Sequence, residues 1–341
     1  MQETQLTVVM PAYNASRYIY QTLEAIVAQT FPAWQLVVVN DCSNDDTAST
    51  VEGWSGRDDR IQLVNNQQNL KVAKSMNKGI ALVDTKYFAR IDSDDVPLPT
   101  HFEKLVAFLE AHPDIDICGS QVLTIDSQGA FRRKWNYETD SDWIKMSAIF
   151  ACPFLQSSVV MNTNVIKELG GYSPEMELVE DYELWIRALT RYKAANIPDY
   201  TMQYRIHDSN MSETNKLKIM SMLEGLFLSY QQYYPIAEQH LGLHARMEFG
   251  DWSGMSVSDN RALGKWRNAL ESLNEKQRFY PKERYSEVLS KYFTNAYLKI
   301  ATQNSGAVHF CALAKAFRTS PRYFKEIWKR KRENLISPNN A

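Results

Sequence analysis

No apolar run in this 341-residue chain approaches the ~20 residues that a bilayer-spanning helix requires. The four cysteines, Cys42, Cys118, Cys152 and Cys311, are scattered and form no CxxC pair. That excludes the spacing of a disulfide framework or a zinc site and suits a reducing cytosol. Neither sign of charge is in excess: the formal net charge is −2, so no nucleic-acid partner is expected. The opening Met1-Gln-Glu-Thr-Gln5 is polar, unlike a secretory signal, and a cytoplasmic location is expected. The loop Met10-Pro-Ala-Tyr-Asn14 has no glycine, so it cannot be a glycine-rich cradle for a triphosphate. No internal repeat and no low-complexity linker interrupts the chain.

Hydrophobic content of 44% and charged content of 23% are ordinary for a globular protein. The N-terminal half alternates short apolar strands with amphipathic helices. Leu6–Met10, Leu36–Val39, Ile61–Val64, Tyr87–Ile91 and Ile115–Gly119 read as strands. Arg17–Gln29, a segment opening at Asp45-Asp46-Thr47, Val72–Leu82 and Pro99–His112 read as helices. This alternation predicts an α/β fold with a mostly parallel sheet flanked by helices. Ligands of such sheets bind beyond the carboxyl ends of the strands. The polar clusters Tyr13-Asn14, Asn40-Asp41 and Asp92–Asp95 all fall there. From about Lys216 the strand signals fade and a helical C-terminal region is expected.

The stretch Tyr87-Phe-Ala-Arg-Ile-Asp-Ser-Asp-Asp95 drives an apolar strand into a cluster of carboxylates. If the strand continues, Asp92 and Asp94 share one face. Converging carboxylates repel unless a cation lies between them. Mg²⁺ and Mn²⁺ prefer oxygen ligands and share coordination with substrate phosphates. Asp94 and Asp92 are therefore candidate ligands of a metal–diphosphate site. Asp95 points the other way and is expected to cap the turn or to bind sugar. A solvated acidic loop would carry the same letters.

Further motifs follow in order: Val8-Val-Met-Pro-Ala-Tyr-Asn14, Gln29-Thr-Phe-Pro32, Leu36-Val-Val-Val-Asn-Asp-Cys-Ser-Asn-Asp45, Asn77-Lys-Gly79, Leu169-Gly-Gly-Tyr172, Glu180-Asp-Tyr-Glu-Leu-Trp185 and Tyr204-Arg-Ile-His207. Over roughly residues 5–212 the set resembles the inverting family 2 glycosyltransferases of the GT-A fold, of the bacterial surface-polysaccharide type. The resemblance implies transfer from a nucleotide-diphosphate sugar, assisted by Mn²⁺ or Mg²⁺. It assigns Pro11, Tyr13, Asn14, Asp41, Lys71, Asp92 and Ser93 to the donor. Tyr13 would stack on the base. Asp41 would accept from an imide N–H, favouring uracil and a UDP-sugar. Asp94, Asp92 and His207 would face the metal. Asp181 would be the general base, with Glu180 orienting it or binding acceptor hydroxyls. Two acids at a helix N-terminus also stabilise the macrodipole without any catalytic role. Three positions depart from the family pattern: Asn40 replaces an acid, Cys42 a glycine and Lys71 a glycine.

The implied organisation is a catalytic domain over 1–212, with a nucleotide-binding half at 1–120 and an acceptor half at 121–212, then a helical region over 213–341. The acceptor is expected to be a glycan or lipid-linked saccharide. A protein acceptor, or a module that binds nucleotide sugar without transferring it, is the alternative. Residues 315–332 carry Lys315, Arg318, Arg322, Lys325, Lys329, Arg330, Lys331 and Arg332 against Glu326 alone. Pro321 suits the start of a last helix, with Tyr323, Phe324, Ile327 and Trp328 on one face. That composition predicts an anionic membrane surface as partner, at the inner face of the cell membrane. Packing on the catalytic domain or on a second copy, through the C-terminal helices of a homodimer, competes with it.

Overall fold

The computed structural model describes residues 3–208, 210 and 214–336, and on the last helix beyond Ile327 only the Lys329 side chain. The expected boundary at 212 falls outside the described residues, as do the side chains of Trp328, Arg330, Lys331 and Arg332. The chain divides into two compact units. One holds residues 1–145 and 152–219; the other holds 146–151 and 220–341.

In the first unit, β1 (Leu6–Ala12), β2 (Trp34–Asn40), β3 (Ile61–Asn65) and β4 (Tyr87–Arg90) are parallel in the order β3-β2-β1-β4. They alternate with α1 (Ile19–Val27), α2 (Thr47–Ser55) and α3 (Lys71–Ile80). Val8 lies between Leu36 and Ala89 in register, and all three are fully buried. With helices on both faces, β1, β2 and β4 are buried almost throughout and mostly apolar, whereas the edge strand β3 exposes Gln62 and Asn65. α3 packs so closely that a Cβ on Gly79 would stand 2.3 Å from Val9 Cγ1.

The sheet continues with β5 (Val96–Pro97), α4 (His101–Ala111), β6 (Ile117–Ile125), β7 (Phe131–Trp135), α5 (Ser141–Ser147), β8 (Val160–Asn162), α6 (Thr163–Glu168), α7 (Glu180–Ala188) and β9 (Ala194–Arg205). β8 runs antiparallel between β4 and β6, while β6 and β9 are parallel. β5 pairs with β9 and β7 with β6, both antiparallel.

The second unit is helical: α8 (Lys216–Ser229) from Met220 onward, α9 (Leu241–Phe249), α10 (Val257–Gln277), α11 (Lys282–Gln303), α12 (Gly306–Thr319) and α13 (Pro321–Ile336). Ser256 opens α10 with a reciprocal capping box: its Oγ accepts from Asp259 N while Asp259 Oδ2 accepts from Ser256 N at 2.7 Å. Leu263, Trp266, Leu270, Val288, Leu289 and Phe293 are fully buried. Residues 146–151 count with this unit because Phe150 sits among the rings of His244, Trp266, Tyr292 and Phe293. Trp266 Nε1 donates to His244 Nε2 at 3.1 Å, so His244 must carry its proton on Nδ1, facing Ile149 O at 3.3 Å. Burial pushes the His244 pKa down to about 3, which keeps the ring in that neutral form.

The aromatic face expected on the last helix is largely turned inward. Tyr323 is buried and its hydroxyl donates to Glu287 at 3.0 Å. Phe324 and Ile327 are half-buried, and Phe324 lies edge-on to Phe317 with centroids 5.6 Å apart. No helix among the described residues is long and apolar enough to cross a membrane.

Candidate active site

The site begins at the carboxyl ends of β1 and β2. Asn14 has φ 49, and its side-chain oxygen accepts from Asn44 N at 3.0 Å. Its own N–H donates to Ser43 Oγ at 3.0 Å. Asp45 Oδ2 accepts from Ser16 N at 3.1 Å. Burial opposes the Asp45 charge, but bonds from Thr47 and Ser16 outweigh it and hold the pKa at about 2. Pro11 lies near the end of β1 opposite Val39, and the Tyr13 ring just beyond the strand is 51% exposed, a flat apolar surface open to a ligand.

Asp41 is buried and heavily engaged. Its Oδ1 accepts from Leu70 N at 2.7 Å and Asn66 Nδ2 at 2.8 Å, and its Oδ2 from Lys71 N at 2.8 Å. It thereby satisfies orphan N–H groups at the start of α3. A carboxylate has about four acceptor sites, so about one is left for a base. The two positions at which the family pattern has glycine also lie here. Cys42 has φ 61 and Lys71 φ 70, the left-handed region in which glycine alone is unstrained. The exposed Lys71 side chain stands at the mouth of this loop.

The strand β4 ends at Arg90, so Asp92 and Asp94 do not share a face by alternation. Residues 92–95 form a turn, closed by Asp95 N donating to Asp92 O at 3.2 Å. Arg205 fixes that turn. Its Nε donates to Asp94 O at 3.0 Å, and its N–H donates to Asp95 Oδ1 at 3.1 Å. Burial, then Asp94 and Asp92, push the Asp95 carboxyl well above the usual range. Asp95 thus caps β9 rather than facing solvent. Ser93 contributes its carbonyl to Thr22 Oγ1 at 3.0 Å. Asp94 Oδ2 lies 2.9 Å from His207 Nε2, bringing together two residues 113 positions apart.

Asp92 turns instead to Arg90, whose Nε donates to its Oδ1 at 2.7 Å. Arg90 Nη1 also donates to Glu180 Oε1 at 3.3 Å, and its guanidinium lies 5.4 Å from the Tyr172 ring centre. Burial disfavours the Arg90 charge, but Asp92, Tyr172 and Glu180 together hold its pKa well above normal. One buried cation therefore joins the carboxylates of the β4 turn to those opening α7. Asp181, the next residue, is half-buried. Burial and then the Glu180 charge push its pKa up to about 6, while Arg90 pulls it down. Trp185 is core, fully buried and edge-on to Phe154.

Sequence reasoning passed over Arg90, although an arginine inside an apolar strand before acids is itself a signal. Removing one partner of a buried ion pair costs about 3–5 kcal/mol. Arg90→Met is expected to lose that much unfolding free energy in a urea titration, and Arg90→Lys, which keeps the charge, markedly less. Equal losses in the two variants would contradict a charge role.

The Gly-Gly turn completes the frame. Gly170 and Gly171 have φ 75 and 80. A Cβ on Gly171 would stand 2.3 Å from Asn77 Oδ1, so glycine is required there by the close approach of Asn77. Asn77 accepts from Tyr172 N and donates to Tyr172 O, each at 2.8 Å. From the other side Arg187 of α7 donates to Gly171 O at 2.9 Å and to Leu169 O.

The sequence profile named Glycosyl transferase family 2 matches residues 7–165, which include the β1, β2 and β4 ends. The putative teichuronic acid biosynthesis glycosyltransferase TuaG of Bacillus subtilis is 33% identical over 220 residues, 62% of this chain and 83% of that protein. The chain belongs to glycosyl transferase family 2. An uncharacterized glycosyltransferase of Haemophilus influenzae is 31% identical over 216 residues, 61% of this chain and 67% of that one. The amylovoran biosynthesis glycosyltransferase AmsE of Erwinia amylovora is 29% identical over 202 residues, 58% of this chain and 75% of that one. S. aureus TarS 1-349, solved with UDP-GlcNAc, shares the fold at TM-score 0.60 and 16% identity, covering 95% of this chain and 92% of that one. A Pyrobaculum calidifontis mannosyltransferase, solved with GDP-Man and Mn²⁺, does so at TM-score 0.56 and 16% identity, covering 93% and 88%. The family 2 fold is GT-A, and the chain is a glycosyltransferase.

Proposed function

We propose that this glycosyltransferase is an inverting hexosyltransferase. It moves a sugar from a UDP-sugar to a hydroxyl of a glycan or lipid-linked saccharide in surface-polysaccharide assembly. The observation that carries the reading is Asp181, a carboxyl with a pKa near 6 that shares the Arg90 cluster with the β4 turn. That pKa suits a base working near neutrality. Tyr13 offers the base its face, and Asp41 offers its remaining acceptor site. Asp181 takes the acceptor proton as the acceptor oxygen attacks the anomeric carbon. The bond to the diphosphate breaks, and its electron pair leaves on the phosphate oxygen. A single displacement of this kind inverts the centre.

Asp94 and His207 offer one oxygen and one nitrogen donor 2.9 Å apart, a set that fits Mn²⁺ or Mg²⁺. No cluster of three or more His, Cys, Asp or Glu side chains suited to a metal gathers among the described residues. The protein would thus contribute a pair, leaving the remaining ligands to substrate oxygens and water. Asp92, held by Arg90, is left a water-mediated contact. The bound cation supplies positive charge against the leaving diphosphate. A screen of nucleotide sugars without acceptor tests the donor. Slow release of UDP from one UDP-sugar is expected, and release of GDP or dTDP alone would refute the uracil assignment. With acceptor, NMR is expected to show inverted anomeric configuration; retention would rule out the mechanism.

A further inference from the structure

The helices α12 and α13 bury less apolar surface than their sequences offer. Phe310 is 72% exposed and Phe317 49% exposed. Ala307, Ala314 and Arg318 are exposed with them. At 3.6 residues per turn, positions 307, 310, 314, 317 and 318 fall within an arc of about 100° on one side of α12. The opposite side carries Ala312 and Ala316, both fully buried. α12 therefore turns its two largest apolar side chains to solvent and its small ones to the core, the reverse of an ordinary surface helix.

The charge around this stripe is one-sided. Residues 306–329 contain Lys315, Arg318, Arg322, Lys325 and Lys329 against Glu326, in a chain whose formal net charge is −2. Among the described side chains of α13, the charged ones Arg322, Lys325, Glu326 and Lys329 are exposed and share one helical face at spacing i, i+3, i+4, i+7. The two helices touch where Phe317 lies edge-on to the half-buried Phe324. Of the cations, Arg322 leans on Glu287 at 3.3 Å and Lys315 on Asn260 O, whereas Arg318 is exposed beside Phe317.

We propose that the α12–α13 edge is a docking surface for an anionic phospholipid bilayer, with Phe310 and Phe317 entering the headgroup boundary and Arg318, Lys325 and Lys329 facing the lipid charge. The surface differs from the one the sequence predicted: Tyr323 faces inward, and the apolar contact belongs to the preceding helix. An exposed aromatic stripe beside a basic face is the composition of an interfacial helix. A second copy of this chain would match the stripe but would have to accommodate the basic face against itself. The surface stands whether or not the acceptor is lipid-linked.

The test is co-flotation of the full chain with vesicles of phosphatidylcholine alone or with phosphatidylglycerol, at low and high salt. Binding is expected on the anionic vesicles only, with release at high salt. Each basic side chain near an anionic leaflet is worth ~1 kcal/mol, so Arg318→Gln with Lys325→Gln is expected to lower the partition coefficient about 30-fold. Phe310→Ser with Phe317→Ser is expected to lower it at least ~10-fold. Unchanged circular dichroism and melting temperature keep both variants interpretable. Equal flotation with both vesicle types, or no loss in either variant, overturns the proposal. So does concentration-dependent dimerisation that the phenylalanine variant abolishes without any vesicle binding by the wild type, which would assign the surface to a second copy.

Discussion

Asp181→Asn is expected to lower kcat about 10²–10⁴-fold, the usual contribution of a general base, and to leave donor affinity nearly unchanged. The amide keeps the shape and the Tyr182 N contact but cannot take a proton. In the wild type the rate is expected to fall as pH drops through about 6, because burial and Glu180 raise the Asp181 pKa to that value and only the carboxylate acts as base. The same shift has a stability consequence of opposite sense. An aspartate whose pKa rises from 3.8 to about 6 on folding binds its proton more tightly in the native state. Its ionisation therefore costs stability progressively between those values, and the full cost is present above them. Asn carries no such cost. The variant is expected to melt higher than wild type at pH 7.5, by ~2–4 °C for each ~1 kcal/mol, and no higher at pH 4. Stopped assays across pH, with scanning fluorimetry on the same samples, check both halves. A larger rate loss in Glu180→Gln than in Asp181→Asn would reverse the two roles.

Asp94→Ala is expected to abolish transfer, and EDTA to silence the wild-type enzyme, with restoration by Mn²⁺ or Mg²⁺. Asp94 and His207 are the proposed donor pair at the turn, and without Asp94 the single nitrogen of His207 would be a poor site for an oxygen-preferring ion. Equilibrium binding separates cause from damage. UDP affinity in the variant should become indifferent to Mn²⁺, while the melting temperature changes little, because the turn is held by the Asp94 carbonyl and by Asp95. Full activity in EDTA would sink the metal-assisted mechanism.

Much of the first unit could be read from the chain. A strand covered on both faces is mostly apolar along its length, so β1, β2 and β4 announce themselves within a residue or two. The strand β9 did not. Thr201–Ile206 reads as a strand, yet the structure extends it back to Ala194. Pro198 and Asp199 interrupt the apolar pattern and shift the register against β6 between Gly119 and Gln121. Residues 146–151 read as part of the catalytic domain, and nothing in their local pattern says that Phe150 joins the rings around His244. In the site, the acids were legible as residue types but not as pairs. Alternation placed Asp92 with Asp94; the chain instead turns after Arg90, and the pairing follows Arg90 and His207, 113 positions from Asp94. Periodicity reports which face a residue occupies within an element. It carries no information on contacts made across the fold.

The Asn77 amide makes the Asn-Lys-Gly and Gly-Gly-Tyr motifs a single device. Both amide bonds to Tyr172 need a side chain that donates and accepts at one length. Asp cannot donate, Gln is a methylene too long, and a Cβ at 171 would occupy the place of the amide oxygen. Through Gly171, α3 is fastened to Arg187, and so to the helix that presents Glu180 and Asp181. At its other end α3 is fastened by Asp41 to the loop beyond β2. A strut therefore runs from the loop assigned to the nucleotide to the helix assigned to the acceptor. Under the proposed roles, the donor loop and the base are tied to opposite ends of one helix, so a change at Asn77 is felt at both.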